Sequence, residues 1–331
     1  MQRISRSHQV ALAACAVSGL LLAGCTVDEP DDEDAQAEAP EDLDDSELSF
    51  AVISHSAPGD SFWEVVQGGA EQSGAEHNVE ITYSGDDDPA EQSQLIDNAV
   101  AQDMDGLVVS MANPDGIQGS VEAAVEADIP VITMNSGLEE FEEIGAITHV
   151  GQSEYMAGEA AGERLGDEDA DHLVCVIHEA GNVGLEERCS GAADAFDGEA
   201  ENLQVDISDA ADARNTIENK LISDEDVDAI LTLNPEIAQS AQGAIEDAGT
   251  GTQLATFDLS ADITEAITAG DVLFAIDQQP YVQGYLPVTM LALHVRNGNE
   301  VGGGDPVYSG PSFVTEDNAE EISEFAERGT R

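Results

Sequence analysis

The sequence predicts an α/β protein of two similar lobes, each carrying a parallel sheet, and three observations lead there. From residue 50 onward, short β-rich apolar runs alternate with longer amphipathic stretches, the pattern of parallel strands buried on both faces. Ten such runs in 331 residues are too many for one compact doubly wound sheet. No tract between the halves has the composition of a flexible linker, so short hinge strands are expected to join them, the first lobe ending near Gly151.

Taken in order, the first set of strands is expected at residues 50–54, 79–83, 106–110, 130–134 and 146–150. The second set is expected at 172–177, 203–207, 228–233, 253–257 and 273–276. Helical patterns lie between them, at 62–76, 90–102, 117–127, 155–165 and 237–248. Two helix starts are well marked: Asp88-Pro89 and Asn234-Pro235 each put a capping side chain before a Pro at the first helical position.

Charge narrows the function. Seventy acidic residues stand against nine basic ones, a formal charge of −61, and Lys220 is the single Lys. With no basic stripe to neutralise phosphates, a nucleic-acid binder is excluded. Self-repulsion of this size destabilises a compact state unless salt screens it. At ~1 M salt the Debye length is ~3 Å and the penalty largely disappears, so the charge reads as adaptation to brine. Because the apolar residues fall in ordered runs rather than scattered, the main body is read as folded and not as an acidic disordered chain.

The N-terminus has a separate logic. Arg3 and Arg6 precede an apolar run at 10–23, a signal-peptide pattern too short for a comfortable membrane span. The run ends Leu22-Ala23-Gly24-Cys25, which resembles the lipobox of prokaryotic lipoproteins; the resemblance implies a lipid on Cys25. Residues 1–24 are read as the signal peptide and 25–48 as an acidic, disordered, self-repelling tether. Cys15 would leave with the signal peptide, so Cys175 and Cys189 remain in an exported, oxidising setting where a disulfide between them is expected. The alternative is two buried thiols. No metal-ligand spacing is present, and neither metal nor cofactor is expected.

In open α/β sheets ligands bind beyond the carboxyl ends of the strands. After the first strand come Asp60, Phe62 and Trp63, the adjacent rings notable in a chain only 4% aromatic. Flat rings there can cover the C–H face of a sugar while polar neighbours take its hydroxyls. Later strand ends supply Asn113, Asn135, Asn234, Asp258 and Gln278, acceptors and donors together, as polyol hydroxyls require. Each also reads as a cap or turn former. No Gly-x-Ser-x-Gly elbow, P-loop or His-Glu-x-x-His occurs, and His178-Glu179 alone does not make an acid–base pair, so no catalytic residue is assigned.

Several segments, in order and spacing, resemble a known family. They are Asp60-Ser61-Phe62-Trp63 with Gly69-Ala70, then Ile129-Pro130-Val131-Ile132-Thr133-Met134-Asn135, and His149-Val150-Gly151-Gln152 with Gly158 and Gly162. Cys175-Val176-Ile177-His178-Glu179-Ala180-Gly181-Asn182 leading to Arg188-Cys189-Ser190-Gly191 follows, then Thr256-Phe257-Asp258 and Ile276-Asp277-Gln278-Gln279-Pro280. From about Phe50 to near its end the chain resembles the type I periplasmic binding proteins of the ribose- and galactose-binding kind, solute-binding lipoproteins of sugar ABC transporters.

The resemblance implies two Rossmann-like lobes joined by three hinge crossings, near 151–153, 277–279 and 302–306, with a ligand between them. Residues 49–151 with 280–303 would form the N-terminal lobe, to which a helix at 281–297 returns. Residues 152–279 with 304–331 would form the C-terminal lobe. It places Asp60, Phe62, Trp63, Asn234, Asp258 and Gln278 on the ligand, and makes His178 a further contact. Asn135 stands at a position that carries a hydroxyl-binding carboxylate in the family. Ser136 and Glu186 stand where ribose binders carry Arg, so the hydroxyl pattern bound must differ; Arg188 matches a later Arg read as structural. The implied function is capture of a neutral monosaccharide or polyol by a monomer, lipid-anchored to the outer face of the cell membrane, for delivery to an ABC transporter permease. The alternatives are a sugar or autoinducer-like signal sensor for a membrane receptor and, behind it, a sugar-acting enzyme.

Overall fold

The computed structural model describes residues 46–56, 60–168 and 170–331. The expected signal peptide, Cys15, Cys25 and the tether before residue 46 lie outside the described residues, as do Pro58 and Gly59.

The first sheet grows by successive βα units: β1 (Leu48–Ser54), α1 (Ser61–His77), β2 (Val79–Gly85), α2 (Pro89–Ala101), β3 (Gly106–Val109), α3 (Pro114–Glu126), β4 (Val131–Asn135) and β5 (Thr148–Gly151). The chain then crosses at 152–153 to build a second sheet. Its elements are α4 (Glu154–Asp167), β6 (His172–Ile177), α5 (Val183–Ala195), β7 (Glu199–Gln204), α6 (Ala210–Ser223), β8 (Ala229–Thr232), α7 (Pro235–Ala248), β9 (Gln253–Phe257), α8 (Ala261–Ala269) and β10 (Phe274–Asp277). It crosses back at 278–279 into α9 (Pro280–Asn297), which packs on α1, and reaches β11 (Val307–Tyr308). It ends with β12 (Ser312–Thr315) and α10 (Ala319–Glu327) in the second lobe.

The sheets run β11-β5-β4-β3-β1-β2 and β12-β10-β9-β8-β6-β7, the same order in each lobe. Every pairing is parallel except β10 with β12. Two boundaries differ from the sequence reading. Leu48 belongs to β1 and not to the tether. The third crossing lies at 309–311, because β11 pairs with β5 of the first sheet; assigning 304–331 to the second lobe therefore starts that lobe too early. A two-residue strand carries no periodicity that could have marked it.

Alternation along the strands feeds a core layer on each face. Phe50 and Val52 pack with Val66, Met134 and Leu291, while Ala51 and Ile53 face Ile96, Val109 and Ile117. In the second lobe Val174 and Val176 meet Ile217 and Ile237, and Leu173 and Ile177 meet Leu165 and Leu185. Each Val, Leu, Ile, Met or Phe among these contributes ~1.5–3 kcal/mol by leaving water. The strand expected at 203–207 forms instead at Glu199–Gln204. It is an edge strand with polar residues outward, and the apolar Val205 that suggested otherwise packs on the core from the loop beyond it.

Two features hold the cleft-facing helix α5 in place. A methyl group added at Gly158 of α4 would lie 2.1 Å from the carbonyl oxygen of Arg188, so α4 and α5 touch backbone to backbone and only glycine fits. Cys175 of β6 and Cys189 of α5 form a disulfide, the bridged alternative of the two considered, across a sequence separation of 14 residues. Closing a loop of that size contributes about 3 kcal/mol.

Candidate functional site

The carboxyl ends of the two sheets face one another across a cavity with about 390 Å³ of space free of protein atoms, its mouth included. The lobes meet directly around it: Ser61 Oγ donates to Glu236 Oε1 at 2.7 Å, and the Val183 amide donates to the Ala112 carbonyl at 3.0 Å.

The first wall is the turn from β1 into α1. Asp60 caps the helix, its Oδ1 accepting from the Phe62 amide at 2.9 Å. The cap holds Phe62 and Trp63 at the cavity, with ring centroids 5.1 Å apart and planes at 86°. His55 meets Trp63 edge-on at 4.8 Å. The rings also belong to the lobe's core, so they serve packing and cavity lining together. From the end of β4 comes Asn135, which adopts a left-handed φ of 60°; Asn and Asp tolerate that region better than other non-glycine residues.

The second wall mirrors the first. Asp258 follows β9, the strand whose place in its sheet matches that of β4, and it too is left-handed, at φ 64°. Gln278, in the second crossing, ties the pair together: its Nε2 donates to Asp258 Oδ1 at 2.8 Å and its Oε1 accepts from Asn135 Nδ2 at 3.0 Å. Asn234 caps α7 through Oδ1, which accepts from the Glu236 and Ile237 amides, leaving its Nδ2 without a partner among the described residues. His178, Glu179 and Asn182 come from the β6–α5 turn. Arg188 reaches the cavity from α5, one turn beyond Leu185.

Electrostatics follow from burial. Desolvation, with Arg188 adding, lowers His55 and His178 to about 3, so both rings are neutral. Asn182 Nδ2 donates toward His55 Nε2 at 3.4 Å, which leaves His55 Nδ1–H to donate to Ser110 Oγ at 2.8 Å. Burial pushes Asp60 up to about 7, with Glu236 adding, and raises Glu179. Asp258 is also pushed up to about 7 by burial, against the pull of Arg188. Burial disfavours the Arg188 cation, but Glu154 and, more weakly, Asp258 hold it charged, with a net upward shift. Its guanidinium also lies over the Phe257 ring at 4.5 Å.

The structure thus brings Asp60, Phe62, Trp63, Asn135, His178, Asn234, Asp258 and Gln278 around one cavity. It does not bring Glu186 there. Glu186 is exposed on α5, and two residues along a helix rotate a side chain by about 200°, which puts Arg188 inward and Glu186 outward. Arg188, read from the sequence as structural, is paired with Glu154 and also lines the cavity. Asn113 lines an adjoining opening with Asp206 and Asp212. Sequence reasoning placed Ser136 at a family ligand position and named Glu179 beside His178, but gave no contact to His55 or Asn182; the position of His55, directly after β1, was the available signal.

Residues 50–300 match the family model described as periplasmic binding protein domain. The ribose import binding protein RbsB of Haemophilus influenzae is 27% identical over 234 residues, covering 69% of this chain and 78% of that protein. A solved carbohydrate transporter from Acidothermus cellulolyticus 11B, in complex with myo-inositol, is 40% identical with a TM-score of 0.85, covering 86% of this chain and all of that one. The chain is a type I periplasmic sugar-binding protein. Its matched relatives are transport proteins, not enzymes. The glucose-galactose binding protein GanP of Geobacillus stearothermophilus shares the fold, at 19% identity and a TM-score of 0.72 over 82% of this chain and 99% of its own. In this chain the cavity between the lobes holds carboxylates, amides and neutral imidazoles beside aromatic rings.

Proposed function

We propose that this binding protein captures a neutral monosaccharide or cyclic polyol in the interlobe cavity and delivers it to the permease of an ABC importer. The observation that carries the reading is convergence: Asp60, Phe62 and Trp63 from one lobe, and Arg188, Asn234 and Asp258 from the other, border a single cavity. Carboxylates and imidazole nitrogens accept from hydroxyls, Asn234 Nδ2 and the guanidinium donate to them, and the rings cover the apolar face of a six-membered ring. A ligand carboxylate would lie beside the carboxyls of Asp60, Glu179 and Asp258, and the one cation lining the cavity is already paired with Glu154. The myo-inositol complex of the 40% identical neighbour supports a cyclic polyol. Contacts from both lobes would favour the closed form, the requirement for a ligand to shift that equilibrium.

The expected result is a thermal shift with at least one of myo-inositol, hexoses and pentoses, measured in concentrated KCl to screen the surface charge. A ligand at a hundred times its Kd adds ~2.7 kcal/mol. No shift with any of these neutral ligands, or a shift with sugar phosphates alone, contradicts the reading.

A lipid on Cys25 would hold the protein at the outer face of the membrane, with the acidic segment as spacer. Among the described residues no helix is long and apolar enough to cross a membrane. Cys25→Ser is expected to move the protein from the membrane fraction to the soluble fraction; retention on the membrane contradicts the anchor.

A further inference from the structure

Glu154 lies behind Arg188, outside the cavity lining. It stands in the first turn of α4, directly after the first crossing, and is only 4% exposed. Its Oε2 receives Arg188 Nε at 2.5 Å and Gln152 Nε2 at 2.9 Å, while Oε1 has no hydrogen-bond partner among the described residues. Arg188 Nη1 donates to the Leu233 carbonyl at 3.5 Å and lies 4.0 Å from Asp258 Oδ2, too far for a hydrogen bond. The guanidinium is therefore committed to Glu154 through Nε and to the Leu233 carbonyl through Nη1, while Arg188 lines the cavity and its Nη2 has no hydrogen-bond partner among the described residues.

We infer that Glu154, acting through Arg188, is the positioning residue that reserves this guanidinium for neutral hydroxyls and keeps carboxylate-bearing sugars out. The inference rests on the functional reading above and deepens it. A buried guanidinium without a counter-charge is the natural bidentate partner of a carboxylate. Glu154 supplies that counter-charge from behind, so a ligand carboxylate entering the cavity meets Asp60, Glu179 and Asp258 with no uncompensated cation to offset them. The Nη donors remain able to serve hydroxyls, which need no net charge. A purely structural pin between α4 and α5 would, on removal, weaken every ligand alike. A charge-balancing role predicts a change in the order of ligands.

The test is calorimetric titration of wild type and Glu154→Gln, in the full chain and in concentrated KCl, with myo-inositol and D-glucose as neutral probes and D-glucuronate as the carboxylate probe. Salt screens exposed charges strongly and buried pairs much less. The ratio of glucuronate affinity to neutral-ligand affinity is expected to rise about tenfold or more in Glu154→Gln, the low end of what close charge pairs contribute at buried contacts. Glu154→Asp, which keeps the charge, should stay near the wild-type ratio. If Glu154→Gln folds only with ligand present, rescue by glucuronate and not by the neutral probes is the same change in preference. An unchanged ratio, equal weakening of all probes, or rescue by the neutral probes alone overturns the inference while leaving the functional reading standing. A wild-type chain that binds neither neutral probe but binds glucuronate overturns both.

Discussion

Replacing Arg188 by Met should abolish ligand capture and lower stability by about 3–5 kcal/mol, the usual cost of removing one partner of a buried ion pair. Met fills most of the space and keeps contact with Phe257, so the loss isolates charge. Glu154 and Asp258, both buried, would be left facing each other's field without the cation between them. The pH dependence has a definite sign. Asp258 already sits near 7 with Arg188 pulling it down; without that pull its folded-state value rises further above the ~3.9 of an unfolded chain. A carboxyl with a raised folded value makes the native state bind more protons than the unfolded state, so stability falls as pH climbs through that window. The Arg188→Met deficit should thus be largest at pH 8 and shrink toward pH 5, read by thermal melting against wild type. Wild-type affinity in this variant, or a deficit that grows on acidification, would remove Arg188 from the site.

Why a ligand role was legible in the sequence for Asp258 and not for Arg188 is a matter of geometry. A residue directly after a buried parallel strand is aimed at the cleft by topology alone, so Asn135, Asn234, Asp258 and Gln278 were legible from strand ends. A residue inside a helix faces the cleft only if its rotational phase is known. Arg188 and Glu186 lie two positions apart on α5, and the apolar pattern that would fix their phase is diluted, since its buried face mixes Gly184, Gly191 and Ala192 with Leu185 and Cys189. His55 was overlooked for a different reason. Its value depends on a partner 127 residues away, Asn182, which reaches it only when the lobes meet. The fold was legible wherever apolar runs coincide with hydrogen-bonded pairing, as at His172–Ile177 and Gln253–Phe257. It was not legible at the edges, where β7 is polar and β11 is two residues long. Asn234 shows why cap and ligand readings need not compete: one end of its amide holds α7 and the other borders the cavity.

Trp63→Ala should be the most damaging change on the opposite wall. The indole is 5% exposed and packs with Phe62, Val66 and Val288 in the first lobe. Truncating a buried Trp costs about 3–5 kcal/mol through lost transfer energy and the cavity left behind. Binding should weaken by at least about a hundredfold, as for a central aromatic anchor, because the ring both borders the ligand space and braces His55 at 4.8 Å. Trp63→Phe restores most of the apolar contact and should recover most of the stability but only part of the affinity. Calorimetry and melting together separate the two effects. Full affinity in a folded Trp63→Ala chain would reduce the indole to a core residue.

Because Trp63 is the only Trp in the chain, all indole emission arises from this one ring at the cavity wall. Titrating the wild-type protein with myo-inositol or a neutral hexose in concentrated salt, while exciting the indole selectively, should give a saturable change in intensity or wavelength whose midpoint equals the calorimetric Kd. Saturable heat with no change in Trp63 emission would place the ligand elsewhere and contradict capture between the lobes.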